Sequence, residues 1–103
     1  MADLLTEQDW KRLNEFSAEI KKLLENREYS TCKEQIVSAI GEYPHAPHPH
    51  NLMGILLEAT GDNQGAMKHY RAAIALEPSF APARENLYRN GDMSNSSRAY
   101  TFA

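Results

Sequence analysis

Along most of the chain apolar residues recur three or four positions apart, the spacing of one face of a helix rather than the alternation of a strand. Trp10, Leu13, Phe16, Ile20, Leu23 and Leu24 make the first stripe. Thr6 with Asp9 three residues on offers a capping-box start, Asp replacing the preferred Glu, and this helix is expected to end near Asn26. Tyr29, Cys32, Ile36, Ala39 and Ile40 carry the period into a second helix, which Pro44 stops. Residues 43–50, YPHAPHPH, hold three prolines and read as a breaker-rich loop. Pro47 or Pro49 can occupy the first turn of the next helix, where a missing amide costs nothing. That third helix runs to Thr60, with Gly61 as its left-handed stop.

A fourth helix is expected from Asp62 or Asn63, either of which can accept from free first-turn amides, with Ala66, Met67, Tyr70, Ala73 and Ile74 inward and Pro78 beyond its end. The fifth carries Pro82 in its first turn, uses Leu87 and Tyr88 as apolar contacts, and stops at Gly91. Residues 92–103, DMSNSSRAYTFA, form a polar, serine-rich tail without a period, expected to be flexible. Tyr100 and Phe102 are aromatics at strand spacing that a purely solubilising tail does not need. The alternative for this segment is that it fills its own or a neighbour's binding groove as a stand-in ligand.

Sliding the chain against itself by 34 residues aligns its landmarks. Ile20 meets Gly54, Leu23 meets Leu57, Cys32 meets Ala66, Ile36 meets Tyr70, Ala39 meets Ala73, Ile40 meets Ile74, and Pro44 meets Pro78. A second slide sets Met53 on Leu87 and Gly54 on Tyr88. A period of this length on paired helices is the signature of a tetratricopeptide repeat, and residues 47–80 resemble its consensus closely. Gly54 stands where a small residue lets the partner helix approach, Gly61-Asp62 forms the turn, and Ala66 and Ala73 lie at close crossings. Tyr70 fills the space between them. Residues 13–46 are a degenerate copy, with Phe16 and Cys32 in place but Ile20 for the small residue and Arg27-Glu28 for the Gly-Asp turn.

The resemblance implies an all-α fold, an α-α superhelix of two helix hairpins with a capping helix over residues 81–90, the domain covering residues 1–91. Two repeats are few for such a stack, since about three usually build a continuous core. Extension of the first helix around Trp10 and the polar cap, with Arg84, Glu85 and Arg89, are expected to compensate. In this family the first helix of each repeat lines a concave groove for peptides or helices. Carried over by position, the groove comprises Asn14, Ser17, Lys21, Leu24 and Glu25, then His48, Asn51, Ile55, Glu58 and Ala59, then Pro82, Glu85, Asn86 and Arg89. Leu24 and Ile55 would be its apolar anchors, with Lys21, Glu58 and Arg89 steering. A subclass that grips chaperone C-termini needs a cationic and asparagine clamp. The matching positions hold Ser17, Lys21, Leu52, Pro82 and Asn86, so that ligand is disfavoured.

Composition narrows the function classes. With 103 residues the chain is one small domain, burying about 60–70% of its unfolded surface. A formal charge of −3 gives no general attraction to nucleic acid or anionic lipid, and no apolar run is long enough to span a bilayer. The lone Cys32 forms no internal disulfide and falls at a small buried position, so it is read as packing and the compartment as cytoplasmic. Phosphate loops, zinc motifs and serine elbows are missing, and neither catalysis nor a cofactor is expected. His45, His48 and His50 form an alternative metal-binding loop, set against incidental histidines in a breaker segment. His69 is placed on the outer, solvated surface. The leading expectation is a protein-interaction adaptor, with a homodimerising structural subunit as the alternative.

Overall fold

The structure, a computed structural model, describes residues 5–91 and 99–103; residues 1–4 and 92–98, the latter the first part of the expected tail, lie outside the described residues. The fold is all-α, with α1 at Glu7–Glu25, α2 at Tyr29–Glu42, α3 at Pro47–Ala59, α4 at Asn63–Leu76 and α5 at Ala81–Gly91. Thr6 caps α1 through a complete box: its hydroxyl accepts from the Asp9 amide at 3.0 Å and its own amide donates to the Asp9 carboxylate at 3.0 Å. Two free first-turn amides are thereby satisfied.

Helix α3 starts at Pro47, as its expected place in the first turn allows, so the breaker segment ends at Ala46 and not at His50. Pro47 and Pro49 both lie in its first turn, so His48 and His50 are helical. Ala46 before it is extended, the conformation that a following proline favours. The helix ends at Ala59 with Thr60 as its cap, and Gly61 beyond it, with φ of +99°, turns the chain so that Asp62 accepts from the Gly65 amide at 2.9 Å and caps α4. In the first hairpin Arg27 takes the left-handed position with φ of +58°, and Glu28 supplies no side-chain cap for α2.

The hairpins α1–α2 and α3–α4 stack with α5 against the second. Helix α3 is central, touching all four others, while α4 is held between α3 and α5. Ile20, Cys32, Ile36, Leu52, Met53, Ile55, Leu56, Ala66 and Tyr70 form the main core. Its tightest crossing is α3 on α4, where a Cβ at Gly54 would run into the Tyr70 ring. Cys32 is fully buried, and burial raises its thiol pKa, the opposite of what a nucleophile needs. A second cluster joins Ala73, Phe80 and Ala83 to Trp10 and Ile74.

One expected core contact is corrected. Tyr88 is 69% exposed, because α5 turns Ala83 and Asn86 inward and a residue two positions after Asn86 points to the opposite side. Leu87 packs at the edge of the core. On the free side of the first hairpin a cleft of about 370 Å³ opens between Leu13 and Phe16 of α1 and Gln35 and Ala39 of α2. Among the described residues no helix is long and apolar enough to cross a membrane.

Two substitutions involving glycine should move stability in opposite directions. Gly54→Ala forces Tyr70 or α3 to shift and is expected to cost about 1–3 kcal/mol in urea unfolding. Arg27→Gly relieves a left-handed non-glycine residue and is expected to add about 0.5–1 kcal/mol.

Candidate functional site

The face built from α1, α3 and α5 carries two asparagines with no exposed surface, Asn51 and Asn86. A buried carboxamide must have partners for its amide hydrogens and its oxygen. Asn86 Nδ2 donates to Asn51 Oδ1 at 2.9 Å, which joins α5 to α3. The remaining groups turn to the backbone of the chain's own last residues. Thr101 N–H donates to Asn86 Oδ1 at 2.9 Å, and Asn86 Nδ2 donates back to the Thr101 carbonyl at 2.8 Å. Asn51 Nδ2 donates to the carbonyls of Thr101 at 3.0 Å and Phe102 at 3.2 Å. The two side chains grip the peptide as a neighbouring strand would, through its main chain.

Side chains of the segment are held by charge and contact. The Arg89 guanidinium lies 4.9 Å from the Tyr100 ring centroid and the Lys21 ammonium 5.7 Å from that of Phe102. Both rings pack on the core cluster containing Ile55, and they meet edge to face at 6.4 Å. Leu24, Glu25, Tyr29 and Ala59, with Lys21, border a cleft of about 540 Å³ beside Ala99, Tyr100 and Phe102. Thus the end of the expected flexible tail, residues 99–103, is docked on the face that the family resemblance implies as a groove.

Glu58 and Arg89 are not free steering charges. Arg89 donates to both Glu58 oxygens, at 2.6 and 2.9 Å, and the Tyr70 hydroxyl donates to the same carboxylate at 2.9 Å. Burial alone would raise the Glu58 pKa, but hydrogen bonds from Arg89, Asn90 and Tyr70 outweigh it and hold the carboxyl below its usual range. The bond to Glu58 raises Arg89, while burial first, then the adjacent carboxylate, raises Tyr70. Lys21, placed over a ring, is likewise committed to the tail.

The histidines separate rather than converge. His48, expected in the groove, is fully buried between Trp10 at 4.5 Å and Phe80 at 4.8 Å between ring centroids. Its Nε2 shares a 3.0 Å hydrogen bond with Asn14 Oδ1, and burial lowers its pKa to about 4, so the ring is neutral at pH 7. His50 pairs with His69, Nδ1 to Nδ1 at 3.0 Å with stacked rings, so His69 is half-buried and not solvated as expected. Among the described residues no three His, Cys, Asp or Glu side chains gather to hold a metal ion, and His45/His48/His50 do not form a site. The helical start at Pro47 is the physical reason, since it sends His48 into the core and His50 towards α4.

Of the other predicted groove residues, Ser17 is buried, its hydroxyl donating to the Leu13 carbonyl at 3.0 Å. Glu85 is exposed on α5 and Pro82 half-buried. Position-by-position reading missed Tyr29, which belongs to a second helix and reaches the cleft because the turn after α1 is so short. Comparison with protein-family models, with curated proteins and with solved structures finds no match.

Two outcomes test this arrangement. His48 has a lower pKa folded, about 4, than its ordinary 6.5, so its contribution is complete above pH 6.5 and falls away as pH drops towards 4. Urea unfolding should show a loss of about 3 kcal/mol over that window, with burial of His50 and His69 adding in the same direction. His48→Phe should remove the larger part of the slope. Arg89→Met strands the Glu58 charge and is expected to cost about 3 kcal/mol, most of it recovered by adding Glu58→Gln.

Proposed function

We propose that the chain is a cytoplasmic protein-interaction module of the tetratricopeptide type, without enzymatic activity, that takes an extended peptide segment on the α1–α3–α5 face. One observation carries the reading: this face holds the backbone of residues 101–102 through two buried asparagines and seats an aromatic on either side. Main-chain hydrogen bonds supply affinity that does not depend on sequence, and the flanking ring positions supply selectivity, the division of labour seen wherever an extended peptide is captured. The 34-residue internal period and the hairpin stack support the family resemblance.

The test is recovery of partners from an extract of the source organism, quantified by mass spectrometry, with the intact chain and a Lys21→Glu, Leu24→Asp variant as baits. Both positions border the cleft, Lys21 exposed and Leu24 half-buried at the edge of the core, so the variant is used once its helical circular dichroism matches that of the intact chain. A protein at least tenfold enriched on the intact bait is the expected result. Equal recovery on both baits would move the site off this face, and recovery of the bait's own chain alone would favour a self-assembling subunit.

A further inference from the structure

Occupancy of the face by the chain's own tail limits any external ligand. Asn51 has both amide hydrogens on tail carbonyls, and Asn86 exchanges a donor and an acceptor with Thr101. A second peptide backbone therefore cannot be held there until the first has left. Yet the tail fills the site incompletely. A cleft of about 540 Å³ remains beside it, walled by Leu24, Tyr29 and Ala59, and Lys21 sits 5.7 Å from the Phe102 centroid, near the outer limit of a cation–π contact.

We infer that residues 99–103 are an intramolecular competitor for the partner site. The partner supplies an extended segment with two aromatics flanking one residue, the second aromatic larger than Phe and reaching into the cleft. The inference rests on the peptide-binding reading above. Its logic is that of a tethered ligand: seven residues, 92–98, separate α5 from Ala99, and so short a tether holds a segment at an effective concentration of about 1 mM. A tail with an intrinsic dissociation constant of about 0.1 mM would then cover the site in about nine-tenths of molecules and weaken an incoming peptide about tenfold. A weak internal occupant also keeps the asparagines and two large rings satisfied while no partner is present. A partner that fills the cleft displaces it by making contacts that the tail lacks.

The experiment uses the full chain and its Tyr100→Ala, Phe102→Ala variant. The probe is a fluorescein-labelled, terminally capped peptide carrying the sequence of residues 97–103, SRAYTFA, read by anisotropy. The expected result is binding about tenfold tighter to the variant than to the intact chain. The same peptide with Trp for its Phe should bind tighter again, and one with both aromatics replaced by Ala should lose binding to both chains. Equal affinity for the two chains, absence of binding to either, or retained binding of the alanine peptide would overturn the inference.

A second reading needs no variant to fold. In the intact chain the Thr101 amide is hydrogen-bonded to Asn86, so saturating peptide should speed its hydrogen exchange while α3 amides stay protected. An unchanged Thr101 rate at saturation overturns the competitor. If the competitor fails while capture of an extract protein still depends on Lys21 and Leu24, the interaction module stands with a different ligand. If capture is lost as well, both readings fall.

Discussion

A carboxylate with 4% of its surface exposed has to find its counter-charge inside the fold, and Glu58 finds it in Arg89 with the Tyr70 hydroxyl as a third contact. Those residues belong to three different helices, α3, α5 and α4. Replacing a buried pair by apolar side chains is often neutral for stability, so the value of this one lies in orientation. It fixes the rotation of α5 about its own axis. Asn86, one turn before Arg89 on the same side, is thereby aimed at Asn51. The other side of the Arg89 guanidinium then meets Tyr100, which places the tail.

The docking of the tail follows from hydrogen-bond accounting. Two carboxamides in contact satisfy only part of each other, because one Asn86 hydrogen and the Asn51 oxygen are used between them and the other groups still need partners. An extended backbone presents an amide and carbonyls at the right interval to complete the set. These bonds use only the tail's main chain and require it to be extended, since a helical segment has its own main-chain groups already occupied. The tail's own side chains are held on either side, Tyr100 under Arg89 and Phe102 under Lys21, beside the cleft bordered by Tyr29.

All five helices were legible in the sequence because each signal for them is local. Thr6 and Asp9 sit in one turn, Gly61 and Asp62 are adjacent, and the buried stripe of α4 needs only its own period. What could not be read were pairings made across the stack. Glu58 and Arg89 each look like a solvated charge in their own helix, and nothing within α5 says that Asn86 rather than Tyr88 faces inward. His50 and His69 are ordinary until α3 and α4 are placed side by side. Tyr-x-Phe stood out as an odd composition for a tail, but its destination depends on two asparagines 35 residues apart that meet only in the folded chain.

Stacked repeats ordinarily touch only their immediate neighbours, and so can lengthen by duplication and fray from either end. In this chain Trp10 of the first helix reaches Phe80, beyond the whole second hairpin, with a centroid distance of 6.2 Å and the His48 ring wedged between them. That bridge closes the array on itself. Inserting one more unit would pull the two rings apart and leave a neutral imidazole without its walls, so the number of repeats is part of the packing and no longer a free variable. Opening either end breaks the same aromatic cluster, and the molecule should therefore melt as one cooperative body instead of one repeat at a time.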